Sequence, residues 1–125
     1  MTVKDFRDLV VWQHAMDLVE SIYQETQQFP PDELSGLTSQ LRRAAVAIPV
    51  RIAEGHGRNA PKEFLAYLAY ANSALCEVQT HILIAQRLNY LSNPHTERLL
   101  ELCAEVARLI NGLCNSLPTQ YNAPK

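Results

Sequence analysis

Glu77 and His81 stand four residues apart, a spacing that sets a carboxylate and an imidazole on one helical face, where both could ligate a metal ion. Carboxylate-bridged metal bundles need more contributors: Glu-x-x-His pairs on two helices and further glutamates. His14, His56 and His95 belong to no HxxxH or ExxH pair. No metal centre or cofactor is therefore expected, and Glu77 with His81 reads as an i, i+4 charge pair. The thiols Cys76, Cys103 and Cys114 are odd in number and lack CxxC spacing. That pattern fits reduced thiols in the core of a cytoplasmic protein. Ser35 and Ser73 sit in no nucleophile elbow. Gly55-His56-Gly57 is too short for a phosphate loop and follows a helix instead of opening one. No catalytic residues emerge, and an enzyme is not expected.

The arginines offer a second kind of chemistry. Helical arithmetic places Gln40, Arg43, Ala47, Arg51, Glu54 and Arg58 on one flank, a quarter-turn or more from the helix's apolar stripe. One reading is a contact to RNA or DNA phosphates through Arg42, Arg43, Arg51 and Arg58. The other is a structural salt-bridge set of Gln40, Arg43, Glu54 and Glu77, with Arg51 and Glu54 also paired at i, i+3. Glu54 falls in a last helical turn, where the helix dipole disfavours a negative charge. It calls for an arginine partner: Arg43, Arg51, Arg58 or one from a neighbouring subunit. The net charge of -2 argues against a protein that coats nucleic acid nonspecifically.

These residues ride on helices. The chain of 125 residues, 47% hydrophobic and 19% charged, is read as one globular domain over residues 1–125. Its ends, 1–8 and 118–125, are expected to be flexible. A first helix is expected from Leu9 to Gln28, capped by Asp8, with Trp12, Ala15, Val19, Ile22 and Thr26 inward and Met16 and Tyr23 beside them. Phe29-Pro30-Pro31 ends it. A second helix from about Asp32 to Gly55 or Gly57 contains Gly36 and Pro49; one helix kinked at Pro49 is preferred to two shorter ones. Phe64, Leu68, Ala71, Leu75, Val78, Ile82 and Ala85 alternate by four and three, the seam of a bundle helix opening at Pro61 and ending near Asn89. A fourth helix, capped by Ser92 or Asn93, turns Leu99, Leu102, Val106, Leu109 and Leu113 inward, with Cys103, Ile110 and Leu117 beside them. The fold class is all-α: an antiparallel up-down-up-down four-helix bundle with a kinked second helix. No run has the length and apolarity of a membrane span.

The second helix is apolar nearly all round. With Leu41, Ala44, Ile48 and Ile52 inward, Val46, Val50 and Ala53 form a second stripe. A lone surface helix needs only one stripe. The start of the third helix, from Phe64 to Ala71, repeats the doubling and adds Tyr67 and Tyr70. Together the two doubled segments are expected to form one contiguous patch, an interface between copies of the chain.

Phe6-Arg7-Asp8-Leu9-Val10-Val11-Trp12-Gln13, Phe29-Pro30 with Glu33 and Leu37, Gln40-Leu41-Arg42-Arg43-Ala44-Ala45, Ile52-Ala53-Glu54-Gly55, and Ser73, Leu75 and Glu77 through Leu88-Asn89-Tyr90-Leu91 follow one another in order. This series resembles the 23S rRNA intervening-sequence protein family, once labelled a ribosomal protein. The resemblance implies an antiparallel four-helix bundle, often a homopentamer, encoded within intervening sequences of ribosomal RNA genes and of largely unknown biochemical role. A related, more basic branch serves as a nucleic-acid-binding accessory to the reverse transcriptases of retroelements. The matching positions to which site roles transfer are Gln40, Arg43, Glu54 and Glu77. The chain departs from the family pattern at Ala47 and Val50, where the family has small polar residues, at Arg51 (asparagine) and at Asn72 (glycine). Two of these changes make the outer face of the second helix more apolar.

Overall fold

The computed structural model describes residues 4–118. Among them there are four α-helices and no strand: α1 Val10–Thr26, α2 Leu37–Gly57, α3 Pro61–Arg87 and α4 Asn93–Ser116. Each packs against its neighbours in sequence, and α4 returns to α1, closing a four-helix bundle around one core. The end of α1 meets the starts of both α2 and α4. The end of α2 lies against the start of α3.

The start differs from expectation. Phe6–Asp8 forms a 3-10 turn whose first N–H groups are capped by Asp5, which accepts a hydrogen bond from the Arg7 N–H. Asp8 lies inside this turn and does not cap α1; Leu9 precedes that helix without a side-chain cap. Residues 5–8 are therefore not a loose end. Phe6 meets the Trp12 ring edge-on at 5.3 Å. The expectation for the last residues, 119–125, falls outside the described part of the chain.

The inward face of α1 is also turned relative to the sequence reading. Val11, Ala15, Leu18, Ile22 and Thr26 are buried, whereas Trp12 and Val19 are half-buried and Met16 and Tyr23 exposed. Ala15, Ile22 and Thr26 are inward as expected; the difference is Val11 for Trp12 and Leu18 for Val19, all apolar, so spacing alone does not choose between them. The indole sits at the shoulder, as bulky amphipathic rings commonly do. In α4 Leu99 and Val106 are buried as expected, but Cys103 and Ile110, one residue later, are buried in place of Leu102 and Leu109; Thr96 is buried as well, and Leu102, Leu109 and Leu113 are half-buried. In α3 the expected row from Phe64 to Ala85 is buried throughout.

Helix α2 runs unbroken through Pro49, which is buried. It does not begin near Asp32. Pro31–Ser35 makes a 3-10 turn, and Gly36, with φ -120° and ψ -114°, separates that turn from α2. Gly36 is thus a junction and not a destabilising residue inside the helix. The Glu33 carboxylate takes up the space its missing side chain leaves, with Oε1 2.8 Å from where a Cβ would stand. That oxygen accepts from the Leu37 N–H at 3.0 Å and caps the helix. Asn59 and Asn89, with φ of 62° and 65°, turn the chain after α2 and after α3.

A polar clasp joins α1 to α4. Glu25 accepts a hydrogen bond from Arg98 at 2.9 Å, and its other oxygen lies 2.7 Å from His95 Nδ1. Burial pushes the Glu25 carboxyl up, but the hydrogen bonds and charges of His95 and Arg98 outweigh it and hold the group below its ordinary value. A carboxylate lowered on folding adds stability above its unfolded pKa and loses it as pH falls through the folded one. Glu25→Gln should therefore lower stability by about 1 kcal/mol at neutral pH, the exposed partners weakening the effect. Urea melts of both proteins over a pH series check this: the gap should close in acid, and a gap independent of pH would remove the ion pairs as its cause.

Of the three thiols expected in the core, only Cys103 is buried, which pushes its pKa up to about 12. Cys114 is half-buried and raised by the same cause, and Cys76 is exposed. Among the described residues no helix is long and apolar enough to cross a membrane.

Candidate functional site

Two grooves flank the outward face of α2. The first lies between α1 and α2, holds about 350 Å³ and is lined by Phe6, Trp12, Met16, Val19, Val46, Pro49, Val50 and Ala53. Every one of these side chains is apolar. Val46 and Val50, turned away from the core as the second stripe requires, are 36% and 43% exposed at its rim. Met16 is 43% exposed on the facing helix. Such side chains in water forgo roughly 25 cal/mol for each Å² left uncovered.

The second groove, about 430 Å³, lies between α2 and α3 and is lined by Ala47, Arg51, Tyr67, Tyr70, Ser73, Ala74 and Glu77. Tyr67 and Tyr70 meet edge to face at 5.7 Å. The patch expected to be contiguous is therefore divided. Val46, Val50 and Ala53 belong to one groove, Tyr67 and Tyr70 to the other, with the outward face of α2 between them. The helices come very close at the end of this second groove. A Cβ on Gly55 would stand 2.6 Å from Tyr67 Cβ and 2.9 Å from Phe64 Cδ1.

The charged residues are mostly engaged within the chain. Glu54 takes its cation from Arg51, Nη1 to Oε1 at 2.8 Å, which settles the choice among the candidate arginines for the single chain. Arg58 pairs with Glu63 at 3.0 Å and lies 5.8 Å from the Tyr67 ring centre. Arg42 donates to Thr26 Oγ1 at 2.8 Å and lies 4.6 Å from the Tyr23 ring centre, tying α2 to the end of α1. Arg42, Arg51 and Arg58 thus hold three different local contacts. No ion pair or hydrogen bond joins Gln40 or Arg43 to Glu54 or Glu77 among the described residues. The i, i+4 pair of Glu77 with His81 is not formed, and His81 Nδ1 is buried without a hydrogen-bond partner. No group of His, Cys, Asp and Glu that could hold a metal ion occurs among the described residues.

Two contacts went unassigned in the sequence. One is the Glu25 clasp, whose partners are separated by about seventy positions. The other joins Glu33 to Tyr90: the phenol donates to Glu33 Oε2 at 2.9 Å, while Oε1 caps α2. The Glu33 carboxylate pushes the Tyr90 phenol above its ordinary pKa, with desolvation adding to the effect. The Phe29 ring packs on Tyr90 at 5.5 Å. Their common presence in the familiar motifs was the available signal, but it carried no indication that they touch.

A protein-family model described as 23S rRNA-intervening sequence protein matches residues 7–112. The chain belongs to this family. No curated protein matches it. The family match spans all of α1, α2 and α3 and most of α4, so the α2/α3 groove, the α1/α2 groove apart from Phe6, and the Glu33–Tyr90 contact lie within the family's region. Phe6 and the last turn of α4 lie just outside it.

Proposed function

We propose that this 23S rRNA-intervening sequence protein family member is a non-enzymatic, homo-oligomeric bundle, working in the cytoplasm, whose subunits meet across the outer face of α2. The observation that carries the reading is the apolar α1/α2 groove with Val46 and Val50 exposed at its rim. An uncharged, concave, aromatic-lined surface is what the centre of a protein interface offers. A second copy of the chain is the partner, and a ring of five is the assembly that the family resemblance implies. An accessory role on RNA, DNA or a reverse transcriptase has less support, because Arg42, Arg51 and Arg58 are already held by intramolecular partners.

Light scattering or sedimentation at micromolar concentration tests the reading: a mass several times that of the chain is expected, and a monomer would overturn it. Val50→Asp sets a charge into the groove and should weaken association by at least about a hundredfold, or about 3 kcal/mol. Its helix content by circular dichroism should stay that of the parent, since the side chain is exposed. An unchanged mass would remove Val50 from the interface.

A further inference from the structure

Arg42 and Arg58 show how this chain binds a guanidinium. Each lies against a tyrosine ring, at 4.6 Å from Tyr23 and 5.8 Å from Tyr67, and each donates to an oxygen, of Thr26 or Glu63. The α2/α3 groove offers the same two kinds of partner, a tyrosine ring and a carboxylate, two helical turns apart on α3. Tyr70, 58% exposed, and the Glu77 carboxylate line the same concave surface. The arginine already in the groove, Arg51, is taken by Glu54. Among the described residues the Glu77 side chain has no hydrogen bond or ion pair. Neither has Arg43, which is exposed one turn before Ala47 on α2.

We propose that the α2/α3 groove is a socket for an arginine of a second copy of this chain, with Arg43 of that copy set against Tyr70 and paired to Glu77. The proposal rests on the homo-oligomeric reading above and deepens it. Charge complementarity chooses the occupant: the groove offers an unpaired carboxylate and an exposed tyrosine ring on its lining, and a second copy offers the unpaired guanidinium of Arg43 from its own α2. A planar cation is attracted both to a ring face and to a carboxylate, and an ion pair shielded inside an assembly is screened less than one in open water. The arrangement fixes which surfaces meet, whereas the apolar groove beside it supplies area without direction.

A charge-exchange series on the full chain tests this, read by sedimentation at several concentrations and salt levels. Arg43→Glu and Glu77→Arg should each weaken association by about tenfold or more. The double variant should recover most of the parent's mass, and Glu77→Gln should lose the salt dependence that the parent shows. Single variants with the parent's mass, or a double variant no better than the singles, would overturn the socket while the Val50→Asp result still stands for assembly. An intramolecular Arg43–Glu77 pair would shift thermal stability in the single variants and leave mass untouched, which also overturns it. A monomeric parent would overturn both readings together.

Discussion

Gly55→Val should destabilise the bundle by about 3 kcal/mol, a loss of roughly ten degrees in thermal midpoint for a domain of this size. The cause is contact and not backbone freedom, since Gly55 lies within α2 and no glycine has a positive φ. A Cβ there falls 2.6 Å from Tyr67 Cβ, an atom fixed to the α3 backbone that no rotamer change moves away. The two helices must separate, and buried apolar contact near Phe64 is lost with them. Gly55→Ala should also destabilise, by about 1 to 2 kcal/mol, because alanine's higher helix propensity offsets only about 1 kcal/mol of the clash. Gly112 in α4 is the control. A Cβ there meets nothing within 4 Å, so Gly112→Ala should stabilise by roughly 0.5 to 1 kcal/mol. Thermal melts of the three variants check the set, and Gly55→Ala melting with Gly112→Ala would show that the helices have room to spare.

Glu33→Ala should cost the fold about 2 kcal/mol. Its two carboxylate oxygens do separate work: one caps the first free N–H of α2, and the other receives the Tyr90 hydroxyl from the turn between α3 and α4. Loss of a helix cap accounts for about 1 kcal/mol, and loss of a charged hydrogen-bond acceptor for a similar amount. Tyr90→Phe removes only the second contact and should give the smaller loss. Combining the two changes should cost no more than Glu33→Ala with the ring change alone, because the hydroxyl has nothing left to bond. Chemical denaturation of the single and double variants measures this coupling; strict additivity would show that the two residues act apart. Gly36 belongs to the same unit, since a Cβ there would meet Glu33 Oε1 at 2.8 Å and displace the cap.

The α3 seam was legible because one row of apolar residues, Phe64 to Ala85, continues along the whole helix, whereas the doubled segment ends at Ala71. The faces of α1 and α4 were less so. Each offers apolar alternatives one residue apart at two positions, Val11 or Trp12 and Leu18 or Val19 in α1, Leu102 or Cys103 and Leu109 or Ile110 in α4, and periodicity serves them equally well until neighbouring helices fill the centre. The start of α2 was misread for a different reason: helical periodicity cannot register Gly36, whose backbone is set by a carboxylate three residues away. Among site residues, spacing within one helix offered the Arg51–Glu54 pair but left Arg43, Arg58 and a neighbouring subunit as alternatives; the folded chain chose Arg51. The positions of Val46 and Val50 followed from the same helical arithmetic.

What the sequence determined by itself is the set of four helices, their order and the surplus apolar stripe of α2, because each depends on residues within a few turns of one another. The tertiary structure alone decided that the stripe joins α1 in one groove while Tyr67 and Tyr70 join α2 in another. It alone decided, too, that Glu25 and Glu33 hold distant partners, His95 with Arg98 and Tyr90. Helical rotation about the core sets those pairings, and a turn of one residue, about 100°, carries a side chain from one groove to the next.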